Sequence, residues 1–263
     1  MKKKFPIGIQ DYRKLKEENY YVVDKTNMIR DFLEFGSEVT LITRPRRFGK
    51  TMNMSMLAEY FDITKDSRDI FAGTNIMQTS HVDKMNQYPV IFLSFKDCKG
   101  DKESLIRTLK RTLLTAYKKF KDVLHEEDMD ITELARFQAL KKSLFDLQSS
   151  SILNLEDSIL FLCERVYEVY QRKIMMVLDE YDTPFMEAYA NDYYEELHGV
   201  LSSLLSMTLK GNSYLEMAVL TGIQRVSKEN IFSGLNNVAV ASVADEAYHE
   251  YFGFTKQESE ELL

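Results

Sequence analysis

The chain has 263 residues, of which 44% are apolar and 29% are charged, and this composition predicts a globular protein large enough to bury a sizeable core. Its formal net charge of −7 argues against a nucleic-acid-binding domain, because such domains usually carry a basic face. The two cysteines, Cys98 and Cys163, form no C-x-x-C pair, so the sequence supports neither a disulfide framework nor a structural zinc site and fits a reducing cytoplasm.

The first residues, 1–6, are basic, but no apolar run follows them, so we expect no signal peptide. No stretch of the chain reaches the roughly 18 uninterrupted apolar residues of a membrane span. We therefore expect a cytoplasmic protein without a membrane partner.

Predicted strands and helices alternate along the rest of the chain. In order they are a helix at 25–35, a strand at 38–43, a helix at 51–61, a strand at 89–95, helices at 102–120, 131–148 and 155–171, a strand at 173–178, a helix at 193–209, strands at 215–220 and 238–243, and a helical segment from 246 onward. This alternation predicts βαβ units and a mainly parallel sheet, whose ligands bind at the carboxyl ends of the strands. We expect one α/β domain over residues 1–263, with the helical stretch at about 101–171 as an insertion or a lid.

A basic loop, residues 44–51, lies between the first predicted strand and the helix that follows it. In the Walker A pattern G-x-x-x-x-G-K-[ST], a loop of this kind holds nucleotide phosphates at a helix N-terminus. Gly49, Lys50 and Thr51 fit the pattern, but Arg44 stands at the position of its first glycine. We predict that Lys50 reaches the β- and γ-phosphates and that Thr51 binds Mg²⁺; the alternative is a basic turn that caps a helix.

The strand predicted at 173–178 runs directly into Asp179 and Glu180, as in a Walker B element. Hydrolysis of a nucleotide needs a carboxylate that secures Mg²⁺ and a group that orients the attacking water. We predict that Asp179 holds Mg²⁺ through water and that Glu180 orients the nucleophilic water or accepts its proton. The alternative is a strand that ends in an acidic turn, and for Asp182 a turn role is the expectation.

A polar residue, Thr221, closes the strand predicted at 215–220. In P-loop ATPases a polar side chain at the end of such a strand senses the γ-phosphate, and by this likeness we predict that role for Thr221. We predict that Arg225 neutralises transition-state charge, although a surface position or an ion pair is an equal alternative for Arg225. Between Lys50 and Asp179 the chain contains one further strand, at 89–95. An extra strand between the loop strand and the acidic strand is the arrangement of P-loop ATPases with a catalytic glutamate, namely the AAA-type and related signalling (STAND) ATPases.

Several strings of this sequence together resemble one known family. They are residues 6–12, 21–26, 44–51, 178–184, 221–225, 231–237 and 252–255. In these strings, and over nearly its whole length, the chain resembles the predicted AAA-ATPase-like domains of bacteria, which also lack the first glycine. Such domains are often followed by a PD-(D/E)XK nuclease-like domain, and the chain stops at Leu263, near where that domain would begin. We expect either a shortened chain or a single-domain member.

The resemblance implies a three-layer P-loop fold that binds ATP and Mg²⁺, with an N-terminal segment of about 1–37 whose residues 7–12 and 24–26 flank the nucleotide. The predicted nucleotide contacts are Ile7, Arg46, Arg47, Phe48, Gly49, Lys50, Thr51, Met52 and Asp179. The predicted Mg²⁺ ligands are Thr51 and Asp179. The predicted catalytic groups are Lys50, Glu180, Thr221 and Arg225. No guanine signature follows the acidic strand, so ATP is the default nucleotide.

We predict slow Mg²⁺-dependent ATP hydrolysis that drives or gates a conformational switch. A nucleotide-binding module with little turnover is the main alternative, and an interaction scaffold that no longer uses nucleotide is another. A protein partner is compatible with all three readings, whereas a nucleic-acid partner is not expected. For Arg44, Arg46 and Arg47 we rank ion pairs and phosphate contacts equally, ahead of a nucleic-acid contact. Residues 97–99 have the D-x-K form of a nuclease site, but no proline–aspartate pair precedes them.

Overall fold

Strands and helices alternate along the computed structural model, which describes residues 4–224 and 238–262. The strands in these residues are β1 Val39–Thr43, β2 Val90–Ser94, β3 Ile174–Asp179, β4 Leu215–Gly222 and β5 Val238–Ala241. The α-helices are α1 Tyr12–Glu17, α2 Asn27–Phe35, α3 Lys50–Phe61, α4 Arg68–Phe71, α5 Lys102–Lys119, α6 Ile131–Leu144, α7 Ser158–Tyr170, α8 Thr183–Ala190, α9 Tyr194–Leu209 and α10 Lys256–Leu262. Each predicted strand overlaps an observed one. For β1 to β4 the reason is that a largely buried apolar run is a strong signal for a strand of a parallel sheet.

The five strands form one parallel sheet in the order β2-β3-β4-β1-β5. The predicted α/β fold with a parallel central sheet is therefore confirmed. The strand that separates β1 from β3 in space is β4, whereas β2, which lies between them in the sequence, forms the edge of the sheet beyond β3. Leu220 of β4 pairs with Leu41 of β1 and with Leu178 of β3, so the C-terminal ends of these three strands lie side by side.

Helices cover both faces of the sheet, and successive strand residues point to opposite faces. Leu41, Leu178 and Leu220 belong to one core cluster together with residues of α5 to α9. Ile42 and Val177 belong to the other cluster, together with residues of α1 to α4. Burial of each such side chain stabilises the fold by about 1.5–3 kcal/mol. The two cores hold the strand ends in fixed relative positions.

The helical stretch predicted at about 101–171 comprises α5, α6 and α7. Asp101 begins α5 by accepting a hydrogen bond from the Ser104 N–H at 2.8 Å, and Asp130 begins α6 through a capping box with Glu133. α5 and α7 pack on the sheet, and α6 packs on both of them. These helices therefore build one face of the core. No helix within 4–224 or 238–262 is long and apolar enough to cross a membrane.

Candidate functional site

The basic loop connects β1 to α3. Gly49 caps α3 with a φ of 77°, a left-handed conformation that favours glycine, and Arg47 has a φ of 70°. The first turn of a helix has N–H groups without helical partners, and the helix dipole adds partial positive charge there. The loop and the start of α3 therefore supply donors for an anion.

Lys50, the first residue of α3, folds back over this loop. Its ammonium donates hydrogen bonds to the backbone carbonyls of Arg44 and Pro45, both at 2.9 Å. Burial lowers the pKa of Lys50, whereas nearby carboxylates, with Glu180 and Asp179 foremost, oppose that shift. The cation and the acidic pair therefore lie at the same edge of the sheet and within electrostatic reach of each other.

Asp179 lies at the centre of a hydrogen-bonded cluster at the ends of β2, β3 and β4. Its Oδ2 accepts hydrogen bonds from Thr51 Oγ1 at 2.8 Å and from Ser94 Oγ at 3.2 Å. Its Oδ1 accepts one from Thr221 Oγ1 at 2.6 Å. The carboxylate is fully buried, and across the described part of the chain its side-chain partners are all hydroxyls. Because Mg²⁺ prefers oxygen ligands, this donor set fits that ion.

Glu180 follows in a left-handed conformation, with a φ of 53°, where the chain leaves β3. Its Oε2 accepts a hydrogen bond from Thr183 Oγ1 at 3.2 Å, and its N–H donates to Thr221 Oγ1 at 3.4 Å. Unlike Asp179, Glu180 is half-buried and lines an open cleft. The two adjacent carboxylates therefore have different environments: Asp179 is buried among hydroxyl groups, whereas Glu180 is accessible to a ligand in the cleft.

Arg44, which stands where the generic motif has glycine, is buried and directed away from the cleft. Its guanidinium donates hydrogen bonds to the carbonyls of Ala241 at 2.8 Å and Ala247 at 3.2 Å, and it lies over the ring of Phe252. Desolvation lowers the pKa of Arg44. Among the residues that the structure describes, Arg44 has no ion-pair partner, and it joins the loop to the C-terminal segment. A phosphate contact of Arg44 stays a prediction.

The cleft has a volume of about 600 Å³. Six of its lining residues come from the loop and the start of α3: Arg46, Arg47, Gly49, Lys50, Thr51 and Met52. Residues 8–10, Lys99 and Glu180 complete the lining. Arg46 and Arg47 are exposed and have no ion-pair partner among the residues that the structure describes. The cleft therefore combines several cations with one carboxylate.

An apolar pocket of about 340 Å³ adjoins the cleft, because Arg47, Gly49 and Met52 line both. Aromatic side chains from three separate parts of the chain line it: Phe5, Tyr21, Phe48, Tyr251 and Phe254. Its largely apolar and aromatic lining is typical of a site for an aromatic ring.

Polar contacts hold the two ends of the chain together around this pocket. The Lys25 ammonium lies 2.5 Å from a carboxylate oxygen of Glu258 and donates a hydrogen bond to the Glu250 carbonyl at 2.5 Å. Asn53 of α3 donates to the Tyr251 carbonyl at 2.7 Å. Ile7 is 92% exposed and lines neither cavity, so the structure brings its neighbours, but not Ile7 itself, to the predicted site.

Asp182, for which a turn role was expected, also makes buried contacts to the end of β4 that the sequence did not reveal. It is buried, its Oδ2 accepts hydrogen bonds from the N–H groups of Ile223 at 2.8 Å and Gln224 at 3.1 Å, and burial raises its pKa. Glycine is favoured at position 222, because a Cβ there would lie 2.8 Å from Asp182 Oδ1 and 2.9 Å from Tyr181 Cε1, so these side chains would have to shift. The glycine after Thr221 was the available signal that a side chain packs against the end of β4.

The predicted residues thus have three outcomes. Lys50, Thr51, Asp179, Glu180 and Thr221 converge at one edge of the sheet. The cavity-lining residues of the loop surround them, with Phe48 in the apolar pocket. Arg225 lies outside the described residues.

Comparison with known proteins gives two matches. Residues 6–232 match the protein family described as "AAA-ATPase_like: Predicted AAA-ATPase". A protein of Azotobacter chroococcum mcd 1, described as "Uncharacterized protein in vnfD 5'region", is 27% identical over 259 residues, which are 97% of this chain and 44% of that protein. The chain therefore spans less than half the length of this relative. No solved structure matches the chain.

Proposed function

The chain belongs to the predicted AAA-ATPase family, and we propose that it binds Mg·ATP and hydrolyses it slowly, with turnover driving or gating a conformational switch. The main observation behind this proposal is the hydrogen bond that Thr51, at the end of the basic loop, donates to Asp179, at the end of β3, at 2.8 Å. This contact joins residues that are 128 positions apart in the sequence. A basic turn that only capped a helix would not need it.

We assign the phosphates to the cleft. The N–H groups at the start of α3 bind the phosphate oxygens, and the Lys50 ammonium exchanges its two loop carbonyls for oxygens of the β- and γ-phosphates. Thr51 and Asp179 hold Mg²⁺, which when bound neutralises charge on the phosphates. Glu180, whose carboxylate accepts a hydrogen bond from Thr183, orients the attacking water or accepts its proton. Thr221, at the end of β4, positions both acidic residues, because its hydroxyl donates a hydrogen bond to Asp179 and accepts one from the Glu180 N–H.

We assign the base to the apolar pocket, since it adjoins the cleft at Arg47, Gly49 and Met52. Aromatic walls such as Phe48 and Tyr21 favour stacking of a purine. No guanine signature follows the acidic strand in the sequence, so we take ATP as the nucleotide.

The test is the substitution Glu180→Gln, with Glu195→Gln as the matched control, because Glu195 has an 89% exposed side chain on α9. We expect Glu180→Gln to lower phosphate release by about 100-fold or more while ATP affinity is retained, since general-base catalysis contributes about 10²–10⁴-fold. Glu195→Gln should leave both quantities unchanged. Equal phosphate release by the two variants would contradict the assigned role.

The alternative of a binding module with little turnover predicts a different pattern. Such a protein would bind Mg·ATP, and Glu180→Gln would not lower a phosphate release that is already at background. A scaffold that uses no nucleotide would show no thermal stabilisation, whereas a ligand at about 100 times its Kd adds about 2.7 kcal/mol to the free energy of unfolding. Measuring both thermal shift and phosphate release on the unsubstituted protein therefore separates the three.

A further inference from the structure

The loop between β2 and α5 places a lysine, Lys99, in the cleft. Lys99 lines the cleft together with Lys50, Thr51 and Glu180. Its side chain is exposed, and within 4–224 and 238–262 its ammonium has neither a hydrogen-bond nor an ion-pair partner. None of the roles proposed above uses this cation.

Contacts on both sides fix the backbone at Lys99. Before it, Cys98 is fully buried and its N–H donates to the Phe95 carbonyl at 2.9 Å. After it, the Gly100 N–H donates to Glu187 Oε2 at 3.2 Å, and the Tyr193 hydroxyl donates to the Gly100 carbonyl at 2.6 Å. Position 99 is therefore held between two anchors, and its side chain extends from a defined point of the cleft wall.

The same contacts put Lys99 on the side of the cleft that carries Glu180. Ser94 pairs with Asp179 in the sheet, and the Phe95 N–H donates to the Asp179 carbonyl at 2.9 Å, so the loop after β2 emerges beside the acidic pair. Glu187 lies on α8, the helix that follows Glu180. Arg46 and Lys50 line the same cleft from the phosphate loop, which follows β1.

We propose that Lys99 contacts the terminal phosphate of a bound nucleoside triphosphate, from the side of the cleft formed by the loop after β2. The proposal rests on the proposed function and adds a substrate contact to it. The negative charge on the γ-phosphate is spread over several oxygens, and the phosphate loop contacts only some of them. A cation from another part of the cleft stabilises the charge on the others.

The test compares Lys99→Met, which removes the charge and keeps the length, with Lys96→Met. Lys96 is an exposed lysine of the same loop, but it lines a separate groove beside α5. We expect Lys99→Met to weaken Mg·ATP binding by at least about tenfold, because it removes a hydrogen bond between two charged groups. It should lower phosphate release by about 100-fold. ADP affinity should change less than twofold, and Lys96→Met should change none of the three.

Calorimetric titration with ATP and ADP and a phosphate-release assay measure these quantities on the same samples. If Lys99→Met equals Lys96→Met in ATP affinity and in phosphate release, the proposal is overturned. An equal loss of ATP and ADP affinity would overturn it as well, because the contact would not be to the terminal phosphate. If the unsubstituted protein and Lys50→Ala both fail to bind ATP, the proposed function fails first, and that result differs from a failure confined to Lys99.

Discussion

Replacement of Thr221 by valine tests how the acidic cluster is held together. The hydroxyl of Thr221 is the side-chain donor to Asp179 Oδ1, at 2.6 Å, and it also accepts the weaker 3.4 Å hydrogen bond from the Glu180 N–H. Valine keeps the shape but leaves one oxygen of a fully buried carboxylate without this donor. Hydrogen bonds to charged groups contribute about 1.5–3 kcal/mol, so we expect Thr221→Val to lower the free energy of unfolding by about 2–3 kcal/mol.

Thr208→Val is the matched control. Thr208 is also buried, at 1% exposure, but its hydroxyl donates to the backbone carbonyl of Leu204 inside α9. Because that carbonyl belongs to a helix and carries no charge, we expect a loss below about 1 kcal/mol. In a chain of this size, 2–3 kcal/mol lowers Tm by about 4–12 °C. Urea titration and thermal unfolding followed by circular dichroism give both numbers.

The difference between the two variants shows whether the lost hydrogen bond to the Asp179 carboxylate causes the loss of stability. If the two variants lose stability to within about 0.5 kcal/mol of each other, the Asp179 carboxylate does not depend on the hydroxyl at position 221, and our account of the cluster is wrong.

Three further predictions concern the same edge of the sheet. Gly222→Ala should lower the free energy of unfolding by about 1–3 kcal/mol in urea titration, because its Cβ would lie 2.8 Å from Asp182 Oδ1. As the control, Gly199→Ala, in an open position of α9, should raise the free energy of unfolding by about 0.5–1 kcal/mol. Arg44→Gly restores the generic motif but removes hydrogen bonds to the C-terminal segment, so we expect a loss of at least about 1.5 kcal/mol and no gain in ATP affinity by calorimetry. Burial raises the pKa of Asp182 above its ordinary value of 3.8, so the folded protein holds that proton more tightly than the unfolded chain. As the pH rises from 3.8 through the raised pKa, the stability of the unsubstituted protein should therefore fall relative to Asp182→Asn, and parallel curves in unfolding titrations would contradict this.

The strands and the loop were predictable because their signals are local. A buried run such as 173–178 has an unambiguous pattern, and Gly49 before Lys50 marks the turn into a helix whatever surrounds it. The parallel sheet then brings the ends of its strands together without any further information. That is why Thr51, Asp179 and Thr221 could be placed at one edge from the sequence alone.

Tertiary contacts decided what the sequence did not reveal. The short helix α1 is held by Arg13, whose guanidinium lies 2.6 Å from the buried Glu59, 46 positions away. β4, rather than β2, lies beside β1 because of the path that the connections take across the sheet. The order of the strands along the sequence does not reveal that path. Lys99 belongs to a loop whose path is set by Glu187 and Tyr193, far along the chain.

The Arg44 contacts have a practical consequence for anyone who produces this protein. The family match ends at residue 232, so a truncation designed from that match would remove β5 and the carbonyls of Ala241 and Ala247 that Arg44 binds. It would also strip one wall from the apolar pocket and leave the outer edge of β1 open to pairing with other chains. A fragment cut there would keep the acidic residues Asp179 and Glu180, yet it would be prone to aggregate, and the pocket that we propose for the base would be incomplete.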